Sequence, residues 1–181
     1  VDPSRRGIIP LGGFHISRSL RRAILSHDYE ARFDSDFSNV VAACSDRSET
    51  WINDTIFELY QALHKRGAAH SQEVWRDGEL IGGVYGVALG SAFFGESMFS
   101  RRTNGSKIAL AYLIDRLNQT GFTLFDTQFI TPHLLSLGGK EIARAQYLEL
   151  LEAAIDRTAD ITRLSVPQSP AGVIQRNGQT S

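Results

Sequence analysis

Two periods divide this chain. Apolar residues at i, i+3, i+4 and i+7 predict amphipathic helices, and strict alternation predicts strands with one face buried. Ser17 and Ser19 can cap a short helix that carries Leu20, Ala23 and Ile24 on one side and Arg18, Arg21 and Arg22 on the others. A short strand is expected at Tyr29 to Phe33. Asp34 and Ser35 then precede Phe37, Val40, Val41 and Cys44, a stripe that puts the single cysteine on a buried helix face, where core packing is its expected role. Asn53 caps a helix from about Asp54 to Arg66, striped by Ile56, Leu59, Tyr60 and Leu63 and stopped by Gly67.

The pattern changes at His70. His70 to Arg76 alternates, Asp77-Gly78 is a two-residue hairpin signal, Glu79 to Leu89 returns, and Gly90 turns the chain into Ala92 to Phe99. Gly82, Gly83, Gly86 and Gly95 fall inside this three-stranded meander, where glycine marks a bulge or the close approach of another backbone or ligand. After Asn104, the stripe Leu110, Leu113, Ile114 and Leu117 predicts a helix ended by Gly121, and Phe122 to Phe129 predicts another strand. Thr131-Pro132 opens a short helical turn that Gly138-Gly139 closes, and a last helix over about Glu141 to Arg157 is expected to bury Tyr147, Leu148, Leu151 and Ile155. Residues 1–16 read as an irregular entry segment and 158–181 as a polar, loosely docked tail, leaving one domain over 1–157. Helices around a meander, followed by helix, strand and helix, indicate an α+β fold on one mixed sheet.

Composition narrows the classes. No apolar run approaches the roughly 20 residues of a membrane helix, and no charged leader precedes an apolar segment, so neither a membrane nor export is indicated. The lone cysteine excludes an internal disulfide and points to the reducing cytoplasm. A formal charge of −1 leaves no global field for a polyanion, which must be met locally, by Arg18, Arg21 and Arg22 or by Arg101, Arg102 and Lys107. Both patches also fit solvated faces. The chain opens at Val1, which suggests processing, trimming or truncation. The histidines are scattered without HExxH spacing, so no metal is expected, and neither of the common phosphate-cradling glycine loops nor a GxSxG elbow is present.

Two strands carry polar groups where apolar ones are expected. In Leu124-Phe-Asp-Thr-Gln-Phe129, alternation sends Asp126 and Gln128 to the face shared with Phe122 and Leu124, and Phe125, Thr127 and Phe129 to the other. A carboxylate and an amide among apolar neighbours cost several kcal/mol by order of magnitude unless paired, which fits a site; an edge strand facing water fits too. Glu96 in Phe93-Phe-Gly-Glu-Ser-Met-Phe99 stands alone in an apolar strand, either in a site or in a strand-end salt bridge. Trp51 and Trp75 suit the core or its rim.

The strings His15-Ile-Ser-Arg-Ser-Leu-Arg-Arg22, Trp51-Ile, Ala69-His-Ser-Gln-Glu-Val-Trp75, Gly82-Gly-Val-Tyr-Gly-Val-Ala88, Phe93-Phe-Gly-Glu-Ser-Met-Phe-Ser100, Asn104-Gly-Ser-Lys107, Asp126-Thr-Gln128 and Ser136-Leu-Gly-Gly-Lys-Glu-Ile142 follow in this order. Together they resemble the leucyl/phenylalanyl-tRNA–protein transferases over about Asp2 to Leu151. The resemblance implies a fold like the GNAT acyltransferases and no cofactor. The implied reaction moves Leu or Phe from Leu-tRNA or Phe-tRNA to the N-terminal α-amine of proteins beginning with Lys or Arg, feeding N-degron degradation. By motif, Asp126 and Gln128 look like the catalytic pair and Glu96 like a polar residue lining the site. Trp51, Val84, Phe93, Gly95, Met98, Leu110, Leu113 and Phe125 look like the aminoacyl-adenosine pocket, and Arg18 and Arg22 like acceptor-stem contacts. The family also implies a segment ahead of Val1 with an RGxFPW-like motif that supplies a further pocket aromatic, and it is not among these residues. Two rivals remain at this point. One is a noncatalytic module that binds aminoacyl-tRNA ends. The other is an acetyl-CoA-dependent GNAT enzyme, whose [QR]xxGx[GA] loop Arg102 to Lys107 matches except for Lys107 in the final small position.

Overall fold

Capping residues set the helices where the periods predict them. A computed structural model of the chain describes residues 3–46 and 52–178. Ser17 Oγ accepts from the Leu20 N–H at 3.2 Å, Asn53 Oδ1 from Ile56 at 3.0 Å and Thr131 Oγ1 from Leu134 at 3.2 Å, each satisfying a first-turn donor that the helix itself cannot. The second helix is capped by Asp36, two residues past Asp34. The elements run β1 (Arg5–Ile8), α1 (Arg18–Leu25), β2 (Glu30–Phe33), α2 (Phe37–Ser45), α3 (Asp54–Lys65), β3 (Ala69–Arg76), β4 (Glu79–Leu89) and β5 (Ala92–Ser100). They continue as α4 (Gly105–Gln119), β6 (Leu124–Gln128), α5 (Pro132–Ser136), β7 (Lys140–Ala143), α6 (Arg144–Ile155) and α7 (Pro170–Gly178).

The seven strands form one mixed sheet in the order β2-β3-β4-β5-β6-β1-β7. All neighbours are antiparallel except β5 and β6, which α4 joins by a crossover. Asp77 and Gly78, at φ 52° and 76°, make the β3–β4 hairpin turn with two positive-φ residues, the form whose twist matches that of the strands. Helices α1, α4 and α7 cover one face, with Phe93, Leu110, Leu113 and Phe125 in its core, while α2, α3 and α6 cover the other. Cys44 is buried there, as its stripe requires. Helix α4 starts against β4: a side-chain carbon on Gly82 would lie 2.3 Å from the Gly105 carbonyl carbon, so only glycine admits this approach. This α+β arrangement is the architecture that the sequence implies.

Three segments depart from the sequence expectation. Residues 5–8, read as irregular, are an interior strand: β1 pairs antiparallel with both β6 and β7. The predicted helix over 141–157 gives its first residues to β7, and α6 buries Tyr147 and Ala154 while Leu148 and Ile155 stay 44% and 42% exposed. The tail is docked, not loose. Val173 and Ile174 of α7 join the core against α1 and α4. Asp115, fully buried on α4, accepts from Arg176 Nε at 2.5 Å and Nη2 at 2.9 Å and from Gln168 at 2.8 Å. A tail without hydrophobic period is therefore fixed by a forked ion pair.

Arg176→Met should destabilise the protein by about 3 kcal/mol in urea titration, because it leaves the buried Asp115 without its cation. It should also open 158–169 to limited proteolysis. Unchanged stability and cleavage would show that the tail is held by apolar contacts alone.

Candidate active site

The site forms where two neighbouring strands stop pairing. Strands β5 and β6 pair through Ala92 with Leu124, Phe93 with Phe125 and Phe94 with Asp126. Beyond them β5 continues along β4, while β6 is held from its other side by β1, with Ile8 opposite Asp126 and Gly7 opposite Gln128. In the β4–β5 ladder Tyr85 faces Ser97 and Gly86 faces Gly95, so Glu96 is the extra residue of a bulge. The bulge resets the alternation: Phe93 and Met98, five positions apart, both pack on the α4 side.

The parting leaves a slot of about 90 Å³. Of the residues expected in the pocket, Val84, Gly95, Glu96, Met98, Leu110 and Phe125 line it. Phe93 and Leu113 lie behind the wall, Phe93 with its ring edge-on to Phe125 at 5.6 Å. Trp51 falls outside the described residues. Ile9, Ser97, Thr127 and Leu134 complete the lining and were not foreseen. Gly95 keeps the slot open, since a β-carbon there would stand 2.7 Å from the Phe125 ring.

Polar groups gather on the opposite face. Asp126 is fully buried, yet its carboxylate is well met. Oδ2 accepts from Arg6 Nη2 at 2.7 Å and from the Tyr147 hydroxyl at 2.6 Å; Oδ1 accepts from Arg6 Nε at 3.1 Å and the Gln128 backbone N–H at 2.7 Å. The Arg6 guanidinium also lies over the Tyr147 ring at 4.9 Å. Asp126 thus reaches Gln128 through the main chain. Gln128 sits at φ 63°, and the Phe129 N–H closes back on the Thr127 carbonyl at 2.7 Å, a three-residue turn rare for a side-chain-bearing residue. Such a backbone costs on the order of 1–3 kcal/mol and persists only where its surroundings over-determine it.

Glu96 links the two sides. It lines the slot, and the side chains of Tyr60 of α3 and of Gln128 stand near enough to favour its charged form. Burial pushes its pKa up from 4.5, the Asp126 charge adds to this, and Tyr60, Arg6 and Gln128 oppose it. The Tyr147 phenol is raised by burial first and by Asp126 second, so it stays a hydrogen-bond donor at neutral pH. Arg6, Tyr60 and Tyr147 were not singled out as site residues. Arg18, Arg21 and Arg22 stand exposed on α1 and, among the described residues, enter no ion pair, whereas Arg102 pairs with Glu79 at 3.3 Å. No cluster of three or more His, Cys, Asp or Glu that could hold a metal occurs among the described residues. No described helix is long and apolar enough to cross a membrane.

Residues 8–152 match the family model of the leucyl/phenylalanyl-tRNA protein transferases. The chain belongs to that family. It is 61% identical over 181 residues to the leucyl/phenylalanyl-tRNA–protein transferase of Ruegeria pomeroyi, covering all of this chain and 86% of that one. It is 60% identical over 182 residues to that of Cereibacter sphaeroides, covering all of this chain and 85% of the relative. The structure of L-PGS from Bacillus licheniformis is a distant likeness, at 16% identity and a TM-score of 0.47 over 74% of this chain and 50% of that one. As a member of this family the chain is an aminoacyltransferase that moves an aminoacyl group from tRNA to a protein.

The raised Glu96 carboxyl has a stability consequence. The folded state holds a proton that the unfolded chain releases near pH 4.5, so this contribution is complete below that pH and is lost as pH rises through the folded value. Glu96→Gln should therefore raise Tm relative to wild type at pH 8 and lose that advantage at pH 4. An equal offset at both pH values would contradict the desolvated carboxyl.

Proposed function

We propose that this protein transfers Leu or Phe, and less readily Met, from aminoacyl-tRNA to the N-terminal α-amine of proteins that begin with Lys or Arg. The modified proteins then enter N-degron degradation in the cytoplasm, where charged tRNA is made. The observation that carries this reading is the slot in the parted sheet, apolar on the α4 side, with the Glu96 carboxyl in its wall and Gln128 beside Glu96.

The aminoacyl side chain enters the apolar part of the slot. One methylene in such a pocket is worth only about 1–3 kcal/mol, so selection among Leu, Phe and Met is graded. The ester of charged tRNA is already activated, and an α-amine of pKa roughly 8 supplies free nucleophile at neutral pH, so little acid-base power is required. Holding amine and ester in attack geometry can supply roughly 7–11 kcal/mol and is the main contribution. The Gln128 side-chain carbonyl accepts a hydrogen bond from the incoming amine. Asp126 fixes Gln128 and favours the positive charge that develops on nitrogen. Glu96 and Asp126 together outweigh Arg6, which suits a cationic acceptor terminus. Arg18 and Arg22, a helical turn apart on exposed α1, meet acceptor-stem phosphates.

Purified protein incubated with radiolabelled Leu-tRNA should label a protein beginning with Arg and leave the same protein beginning with Glu unlabelled. Binding of the tRNA without label transfer would favour the noncatalytic module. Gln128→Ala should slow single turnover with saturating Leu-tRNA by roughly 100-fold, the scale of a misplaced reactant; a wild-type rate would remove Gln128 from the reaction. Arg18→Ala and Arg22→Ala should each raise the KM for tRNA and reduce the slope of log affinity against log salt by about one, with the chemical step unchanged. Unaltered slopes would make α1 a solvated face.

A further inference from the structure

We propose that Arg6 and Tyr147 are positioning residues for the transfer step, which lock the Asp126 carboxylate so that it clamps the Gln128 backbone and aims the Gln128 side chain. This rests on the reading of Gln128 given above. A carboxylate offers about four acceptor directions, and all are taken here. Gln128 N–H and Arg6 Nε occupy Oδ1, at 2.7 and 3.1 Å, and Arg6 Nη2 and the Tyr147 hydroxyl occupy Oδ2, at 2.7 and 2.6 Å. No lone pair is left to take a proton from an amine. Asp126 therefore acts through what it holds.

What it holds is the Gln128 N–H, in a backbone conformation that a side-chain-bearing residue seldom adopts. The carboxylate has no freedom to drift, because its partners come from elements fixed independently. Arg6 lies on β1, between β6 and β7, and Tyr147 lies on α6. The fork of Arg6 fixes the carboxylate plane and Tyr147 fixes the outer oxygen, while the guanidinium-on-ring contact ties the two donors to each other. Removing either donor lets the carboxylate rotate, loosens the turn and misdirects the Gln128 amide relative to Glu96 and the slot. Ground-state binding of tRNA and acceptor does not pass through these groups.

The test uses Tyr147→Phe, which deletes one hydroxyl, and Arg6→Lys, which keeps the charge but loses the fork. Each should lower single-turnover transfer from saturating Leu-tRNA by about ten-fold or more while the KM values for tRNA and acceptor stay within about twofold. In ¹H–¹⁵N spectra the Gln128 amide, held by Asp126 in wild type, should shift upfield and exchange faster in both variants. Wild-type rates in both, rate losses matched by rising KM or by the unfolded fraction, or an unmoved Gln128 amide would overturn the proposal. Should one variant not fold, the other decides. Failure of the wild-type protein to transfer Leu at all would strike the parent reading, and the Gln128 amide would still report whether the clamp exists.

Discussion

The separation of β5 from β6 is the constraint on which the rest of this molecule depends. Parallel neighbours are normally paired along their length and covered on both faces. Here pairing ends at Phe94 and Asp126, and each strand keeps its place only because of its other neighbour, β4 for β5 and β1 for β6. Strand β1 is four residues long, yet without it β6 would have no partner past Asp126 and the slot no second wall. The bulge at Glu96 belongs to the same device. It turns one carboxyl toward the polar face while leaving Met98 on the apolar one, so that a single strand furnishes both sides of the site.

Two carboxyl groups then stand on the same side of the sheet in different surroundings. Asp126 loses all contact with water but gains a forked guanidinium, a phenol and a backbone donor, which together offset its desolvation. Glu96 has only Tyr60, Gln128 and a more distant share of the Arg6 charge, and its pKa rises. Environment separates them: one carboxylate is held on every side by donors, the other stands in the wall of the slot with its pKa raised by burial. The first sits on the backbone that carries Gln128, and the second sits on the slot itself.

Much of this was legible along the chain, and what was not shares one cause. Helices α1 to α4 show their 3.6-residue stripes, α1 to α3 with capping side chains, and the β3–β4 hairpin shows Asp77-Gly78, because these signals are local. Strand β1 has none: Arg5-Arg-Gly-Ile8 is too short to alternate visibly, and its partners lie more than a hundred residues away. Helix α7 lacks a clear stripe because an ion pair with Asp115, and not an apolar face alone, docks it. The same division holds in the site. Asp126, Gln128 and Glu96 stand out as polar residues in apolar strands. Arg6 falls in the segment read as irregular and Tyr147 reads as one more apolar position of a helix, and only their meeting at Asp126 gives them meaning. Phe93 and Leu113 show the converse. The family resemblance puts both in the pocket, and a motif cannot tell the wall of a cavity from the layer behind it.

The chemistry explains why a saturated carboxylate is useful here. A reaction between an ester and an amine that is partly free at neutral pH gains more from alignment than from a strong base. A base must keep a vacant lone pair, and Asp126 has none. An anchor needs the opposite, every hydrogen bond satisfied, so that it holds a strained turn without moving. The Asp126 environment meets the second specification. The fold accordingly places its rigidity in β1, β6 and α6, around Asp126 and the turn at Gln128, and leaves Glu96 in the wall of the slot.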